Sequence, residues 1–163
     1  MSHGKPPRKP RWSAAVNTMD LVSRRVALVT PTDLAQVLHP LQAAFTALRQ
    51  GVATEWQWSV LASAMNCAQA IDKQGVVKGL HAHLRAAELA LQSIYNRAIA
   101  TGKWQSTSLY YIELDAIDTA IDLHKFQLQQ LSTGEVIRAL DYAQAEVRSS
   151  GGRVMQRPDL LAA

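Results

Sequence analysis

Between Val77 and Leu131 apolar residues recur at alternating spacings of three and four, and the run is broken only around Gly102. Val77, Leu80, Leu84, Ala87, Leu91, Ile94 and Ala98 form the first series, and Tyr110, Leu114, Ile117, Ile121, His124, Leu128 and Leu131 the second. At 3.6 residues per turn that spacing puts each series on one side of a helix, which must then be covered by something else. The pattern predicts helices over Val76 to Thr101 and from about Thr107 to Leu131, the first roughly 37 Å long at 1.5 Å per residue. Two neighbouring helices of equal length joined by a short loop make an antiparallel hairpin.

The rest of the chain falls into place around that hairpin. Thr32 can cap a helix carrying Leu34, Val37, Leu38, Leu41, Phe45 and Leu48 and stopped by Gly51, although Pro40 inside it predicts a kink or break near His39. Thr54 and Gln57 form a capping box for a helix from Glu55 to about Gln74, stopped by Gly75, with Trp56, Val60, Leu61, Met65, Ala68 and Ile71 marking its buried side. Ser132 and Glu135 form another, opening a helix with Val136, Ile137, Leu140, Ala143 and Val147 inward and ending between Ser149 and Gly152. Residues 13–31 read as an irregular lead-in, with one short helix near Ala14 to Val22 and an extended pass over Val26 to Val29. Residues 1–12 read as a flexible arm rich in Pro, Lys and Arg, and residues 150–163 as a loose tail. About fifteen per cent of the chain is Ala, a strong helix former, and no strand alternation of useful length follows Pro31. The expected fold is all-α: a bundle of about five helices over residues 32–149 with a long central antiparallel helical hairpin.

Charge separates the arm from the body. The 163 residues hold 17 Lys plus Arg against 13 Asp plus Glu, and Lys5, Arg8, Lys9 and Arg11 account for the whole surplus. Everything from Ser13 onward is neutral overall, so the body offers no basic face of the kind a groove-reading nucleic-acid protein needs. The arm, followed by Trp12, could contact phosphates and stack on a base, which supplies weak, salt-sensitive and sequence-blind binding. No apolar run approaches the length of a membrane span, and no apolar stretch follows the basic start as it would in a signal peptide. Cys67 is the only cysteine, which excludes a disulfide framework and fits a reducing cytoplasm.

Motifs for chemistry are sparse. No Glu-x-x-His pair occurs, and His81 and His83 stand about 200° apart around a helix, so they cannot chelate one ion together. No Gly-rich phosphate loop, G-x-S-x-G, H-E-x-x-H or C-x-x-C is present. These absences assign no catalytic residue, no cofactor and no metal, and a non-enzymatic role is expected. His124 occupies an apolar position, where a core histidine satisfied by one hydrogen bond is favoured over a base or a pH switch. Cys67, between Met65 and Ala68, reads as a small buried hydrophobe. Asp115, Asp118 and Asp122 line one stripe of the second hairpin helix, with only Lys125 to answer them locally. They could receive a basic partner or this chain's own arm, or form a solvated face balanced by Lys78 or Arg85. An enzyme or metal protein built on His124 and this stripe is the least favoured reading.

The feature that points to a partner is missing charge. Between Leu34 and Ile71 only Arg49 and Glu55 are charged, although two helices there should each present a polar side. A low-charge surface with aromatic residues and Met is the composition of interface cores, which nominates Phe45, Trp56, Trp58 and Met65 for contact with a protein partner or a second copy. The alternative is that these helices lie centrally and are covered on both sides.

The hairpin segment, QGVVKGLHAHLRAAELALQSIYNRA, then GKW, then LYYIELDAIDTAIDLHKFQLQQLSTGE, resembles a family of short helical proteins associated with proteobacterial prophages and mobile elements. The resemblance covers about Leu34 to Gly152 and implies no functional residues. It implies a setting: an accessory protein that acts by contact with a host or phage component. The expected function is therefore that of a small helical binding protein, a homo-oligomer or bound to a protein partner. A nucleic-acid accessory role for the arm is the second expectation.

Overall fold

The computed structural model describes residues 26–105 and 108–151. Five helices follow in order among these residues: α1 Pro31–Arg49, α2 Glu55–Gln74, α3 His81–Thr101, α4 Tyr111–Gln130 and α5 Thr133–Ser149. The protein is an all-α bundle.

Local sequence explains most of the boundaries. The α1 helix starts two residues earlier than a cap at Thr32 would place it, because Thr30 is the N-cap, accepting from the Asp33 amide at 3.2 Å, and Pro31 takes the first helical position where its missing donor costs nothing. Pro40 does not break it. The carbonyl that Pro40 leaves without an internal partner belongs to Gln36, and both residues lie on the exposed side where water can serve it. Thr54 and Gln57 close the capping box expected for α2, and Ser132 and Glu135 that for α5. Gly75 and Gly102 end α2 and α3 in the left-handed conformation, with φ of +75° and +66°.

The first hairpin helix is shorter than its apolar spacing suggests. Residues 75–80 form a connection in which Gly79 also takes a positive φ, and α3 begins only at His81, so Val77 and Leu80 continue the period without continuing the helix. The hairpin survives the correction: α3 has 21 residues and α4 has 20. Arg97 on α3 grips Glu113 on α4 in a two-pronged ion pair, at 2.8 and 2.5 Å, and donates from Nε to the Ser108 carbonyl at 2.9 Å, which sets the antiparallel register.

The α2 helix occupies the centre and packs against all four others, whereas α5 packs chiefly on α2. Leu61, Ala62, Met65, Ala68 and Ile71 of α2 are completely covered, as are Leu84, Leu91 and Ile117 from the hairpin. For α5 the inward side is Val136, Ala139 and Ala143, while Ile137 and Leu140, expected inside, are exposed. Residues preceding α1 lie alongside the α4–α5 turn: Leu28 pairs with Ser132, and the Val29 amide donates to the Leu131 carbonyl at 3.2 Å. The extended pass expected over Val26 to Val29 forms only around Leu28, since Val26 is helical; the short helix expected near Ala14 to Val22 lies outside the described residues, as does the arm, and of the tail only residues 150–151 are described.

Candidate functional site

Three of the four interface residues nominated by low charge are core residues. Phe45, Trp58 and Met65 are buried within the single chain and are not available to a partner. For Trp58 and Met65 the reason is the position of α2, which four neighbours cover over much of its surface, and Phe45 is buried on the inward side of α1. Trp58 illustrates the environment. Its ring packs against Tyr95 at 4.9 Å and Trp104 at 5.9 Å between centroids, and its indole nitrogen donates to the Leu91 carbonyl at 2.9 Å. Trp56, two residues earlier, turns the other way and is 72% exposed, so it is not part of the α2 core face either.

The other nominated groups are placed as follows. Lys5, Arg8, Lys9, Arg11 and Trp12 lie outside the described residues. Asp115, Asp118 and Asp122 are all exposed on α4. Asp118 and Asp122 line an open cleft of about 360 Å³ against α1, whose Arg49, Thr46 and Gln42 form the facing wall. Arg49, stacked over the Phe45 ring, is the cation that lines the same cleft, and Arg85 is engaged with Glu88 on its own helix. His81 and His83 are surface residues, and among the described residues no three His, Cys, Asp or Glu side chains converge in a way that could hold a metal ion.

His124 is a core residue. Its ring is 2% exposed, and Nδ1 lies 3.3 Å from the Gln127 side-chain oxygen, while the Gln127 amide nitrogen donates to the Ala68 carbonyl of α2 at 3.1 Å. With the Gln127 oxygen accepting, Nδ1 carries the proton and the ring is the neutral donor. Burial pushes its pKa down from 6.5 to about 4, and the Gln127 contact opposes that only in part. Burial likewise pushes the Cys67 thiol up to about 11, away from thiolate chemistry. A polar groove between α2, α3 and α5 holds Lys73, Arg85, Glu88 and Glu146, but these charges are matched within it: Lys73 to Glu146 at 2.9 Å, Arg85 to Glu88, and Gln69 to Glu88 at 3.1 Å. Groups satisfied by one another offer a ligand little.

What the sequence reading passed over is the outer side of the hairpin. The α3 positions Ala82, Ala86, Leu89, Ser93, Asn96 and Ala100 step by four and three, and so do the α4 positions Ile112, Ala116, Thr119, Leu123, Phe126 and Gln130. The α3 series lies roughly opposite the buried stripe of its helix, whereas the α4 series runs between the acidic stripe, which holds Asp115 opposite the buried side, and the side of α4 turned to α3; the two series make adjacent uncharged rows. Ile112 is 79% exposed, Phe126 48% and Leu89 45%, with Leu123, Ala116 and Ser93 half-buried in the furrow between the helices. The signal was present in the sequence as a second three-four series in each helix. It was masked because the first series was stronger and because Ala, Ser and Thr read as neutral when nothing says which side faces out.

No family model, no curated protein and no solved structure matches this chain.

Proposed function

We propose that the protein is a non-enzymatic helical binding protein that acts by protein–protein contact through the outer face of the α3–α4 hairpin. The observation that supports this reading is the pair of uncharged heptad-spaced stripes turned toward solvent on adjacent helices. The outside of α4 carries Asp115, Asp118 and Asp122, and the uncharged row lies beside them on the side toward α3. Exposed Ile112, Phe126 and Leu89 on adjacent helices are apolar side chains of the kind that protein contact covers. The satisfied polar groove, the neutral buried His124 and the inert Cys67 give no competing site of chemistry. The setting, an accessory factor of a mobile element acting on a host or phage component, rests on the resemblance of the hairpin segment alone.

The test is capture from the native host with the full-length chain as bait, using Phe126→Glu against Ile137→Glu as a control on the exposed outside of α5. Loss of captured protein with the first substitution and retention with the second is the expected result. Equal behaviour of both baits with unchanged partners would refute contact through this face.

A further inference from the structure

Backbone pairing fixes the direction in which the chain reaches the bundle. Residues 27–29 run antiparallel to residues 131–133: the Val29 amide donates to the Leu131 carbonyl at 3.2 Å, and the Thr133 amide to the Ala27 carbonyl at 2.9 Å. Followed backwards from Val29, the chain is therefore aimed from the α4–α5 turn toward α5. Val26, the first described residue, is helical and shares an open groove of about 720 Å³ with Leu28 and with Gly134, Ile137, Arg138 and Asp141 from the start of α5. We propose that residues 15–25 dock on the outer side of α5 as a further helix, antiparallel to it and ending at Val26.

Three observations carry it. The first is the spacing of the segment. Ala15, Met19, Val22 and Val26 step by four, three and four, which in a helix places them in one row, with Ser13, Asn17, Asp20 and Arg24 on the opposite side. The last member of that row is the residue already seated in the groove.

The second is the surface that receives it. The α5 helix packs chiefly on α2, and Ala139 is its one buried residue. About a quarter turn from its inward side of Val136, Ala139 and Ala143, a second row runs through Ile137, Leu140, Gln144 and Val147. Ile137 is 47% exposed and Leu140 43%, whereas Asp141 and Arg148 stand at the outer edge of the row, where their charges stay in water. A helix that shows one apolar row to the bundle and another beside it has room for two neighbours, and only α2 occupies one place among the described residues.

The third is length and register. With Val26 level with Ile137, an antiparallel pass puts Val22 beside Leu140 and Asp141, Met19 beside Gln144 and Ala15 beside Arg148. The pass is about 16 Å long at 1.5 Å per residue and ends within α5, which closes at Ser149. Large apolar residues thus meet over the first half of α5, and the cationic arm at Lys5 to Arg11 leaves from its C-terminal end. Docked or released, the segment leaves the outer hairpin rows untouched, so this inference stands or falls separately from the contact reading above.

The experiment is hydrogen exchange on the full-length chain, read amide by amide, joined to a cysteine pair. In the wild type the amides of residues 19–25 should exchange at least about tenfold more slowly than those of an unstructured chain. Ile137→Glu and Val22→Glu should each bring them back to within about twofold of the unstructured rate, since each sets a carboxylate in the apolar contact. Protection in α2, α3 and α4 should be unchanged by Ile137→Glu, because that side chain lies outside the core. Val22→Cys and Leu140→Cys in one chain should close an internal disulfide on mild oxidation, with buried Cys67 as a silent background. Unstructured exchange of residues 19–25 in the wild type overturns the proposal, and so does protection that survives Ile137→Glu. A cysteine pair that stays open refutes the register, and one that links two chains instead of closing within one assigns the groove to a second copy; either result overturns the docking described here.

Discussion

His124 makes the stability of this bundle depend on acid in a way that can be computed and tested. The imidazole lies in the core, held neutral by burial, with a pKa near 4 against the ordinary 6.5. For a base whose folded pKa is depressed, the unfolded chain binds the proton first. The stabilising contribution is therefore complete above about pH 6.5 and is lost as pH falls toward 4. Between pH 7.5 and 5 the linkage integral over those two values gives a loss of about 2 kcal/mol from this one group, rising to about 3 kcal/mol when the ring is protonated in both states. Against a total of about 5–15 kcal/mol this is substantial, and for a chain of this size it corresponds to a fall of about 4–8 °C in melting temperature. The perturbation is His124→Leu, which removes the titrating group and leaves the Gln127 oxygen without its donor. The variant should be less stable than the wild type at neutral pH by about 1–2 kcal/mol, from the orphaned acceptor. Its pH slope should nonetheless be flatter, so that the two curves converge toward pH 5. Urea unfolding at half-unit intervals of pH provides the comparison, because His39, His81, His83 and the carboxylates are common to both chains and cancel. Parallel curves, with the same loss between pH 7.5 and 5 in each, would refute the assignment of this dependence to His124.

Two further outcomes follow from the packing. Arg97→Met leaves Glu113 buried without its guanidinium partner; burial alone pushes that carboxyl up, and Arg97 together with the Tyr110 amide more than reverses it, holding the pKa below the usual carboxylate range. Because Arg97 is about a quarter exposed, the loss should be about 2 kcal/mol rather than the 3–5 of a fully buried pair, and a change under 0.5 kcal/mol in urea unfolding would contradict the structure. Cys67, covered by the core and with its thiol pushed up to about 11, should react with an aromatic disulfide reagent only as fast as the bundle opens, so that labelling accelerates in parallel with denaturant-induced unfolding. Immediate labelling under native conditions would show that α2 is not the central helix.

The relation between sequence and surface turns on which side of each helix is covered. Apolar spacing in α3 and α4 predicts two helices and an antiparallel hairpin, and both form. The same spacing carries the first helix too far, because Val77 and Leu80 keep the period across a connection that Gly75 and Gly79 bend out of helical geometry. Pro40 errs in the opposite sense: the sequence warns of a break, and an exposed Gln36 carbonyl makes the break unnecessary. The missing charge between Leu34 and Ile71 was legible, but its meaning was not. Absence of charge follows equally from a helix inside the bundle and from a helix face under a partner, since both exclude water. Trp58 and Met65 proved to be the first kind. Ile112 and Phe126 are exposed and Leu123 half-buried.

Local chemistry written in the chain determined the helices, their caps at Thr54 and Ser132, their glycine stops and the neutral body with its cationic arm, because each of these depends on residues within a turn or two of one another. Tertiary structure decided that α2 is the helix with four neighbours and that the hairpin has only one covered side. It also decided that Arg49 rather than Arg85 faces the Asp118 and Asp122 cleft. Those outcomes depend on how many helices surround each one, and burial is a property of the assembled bundle, not of any segment read alone.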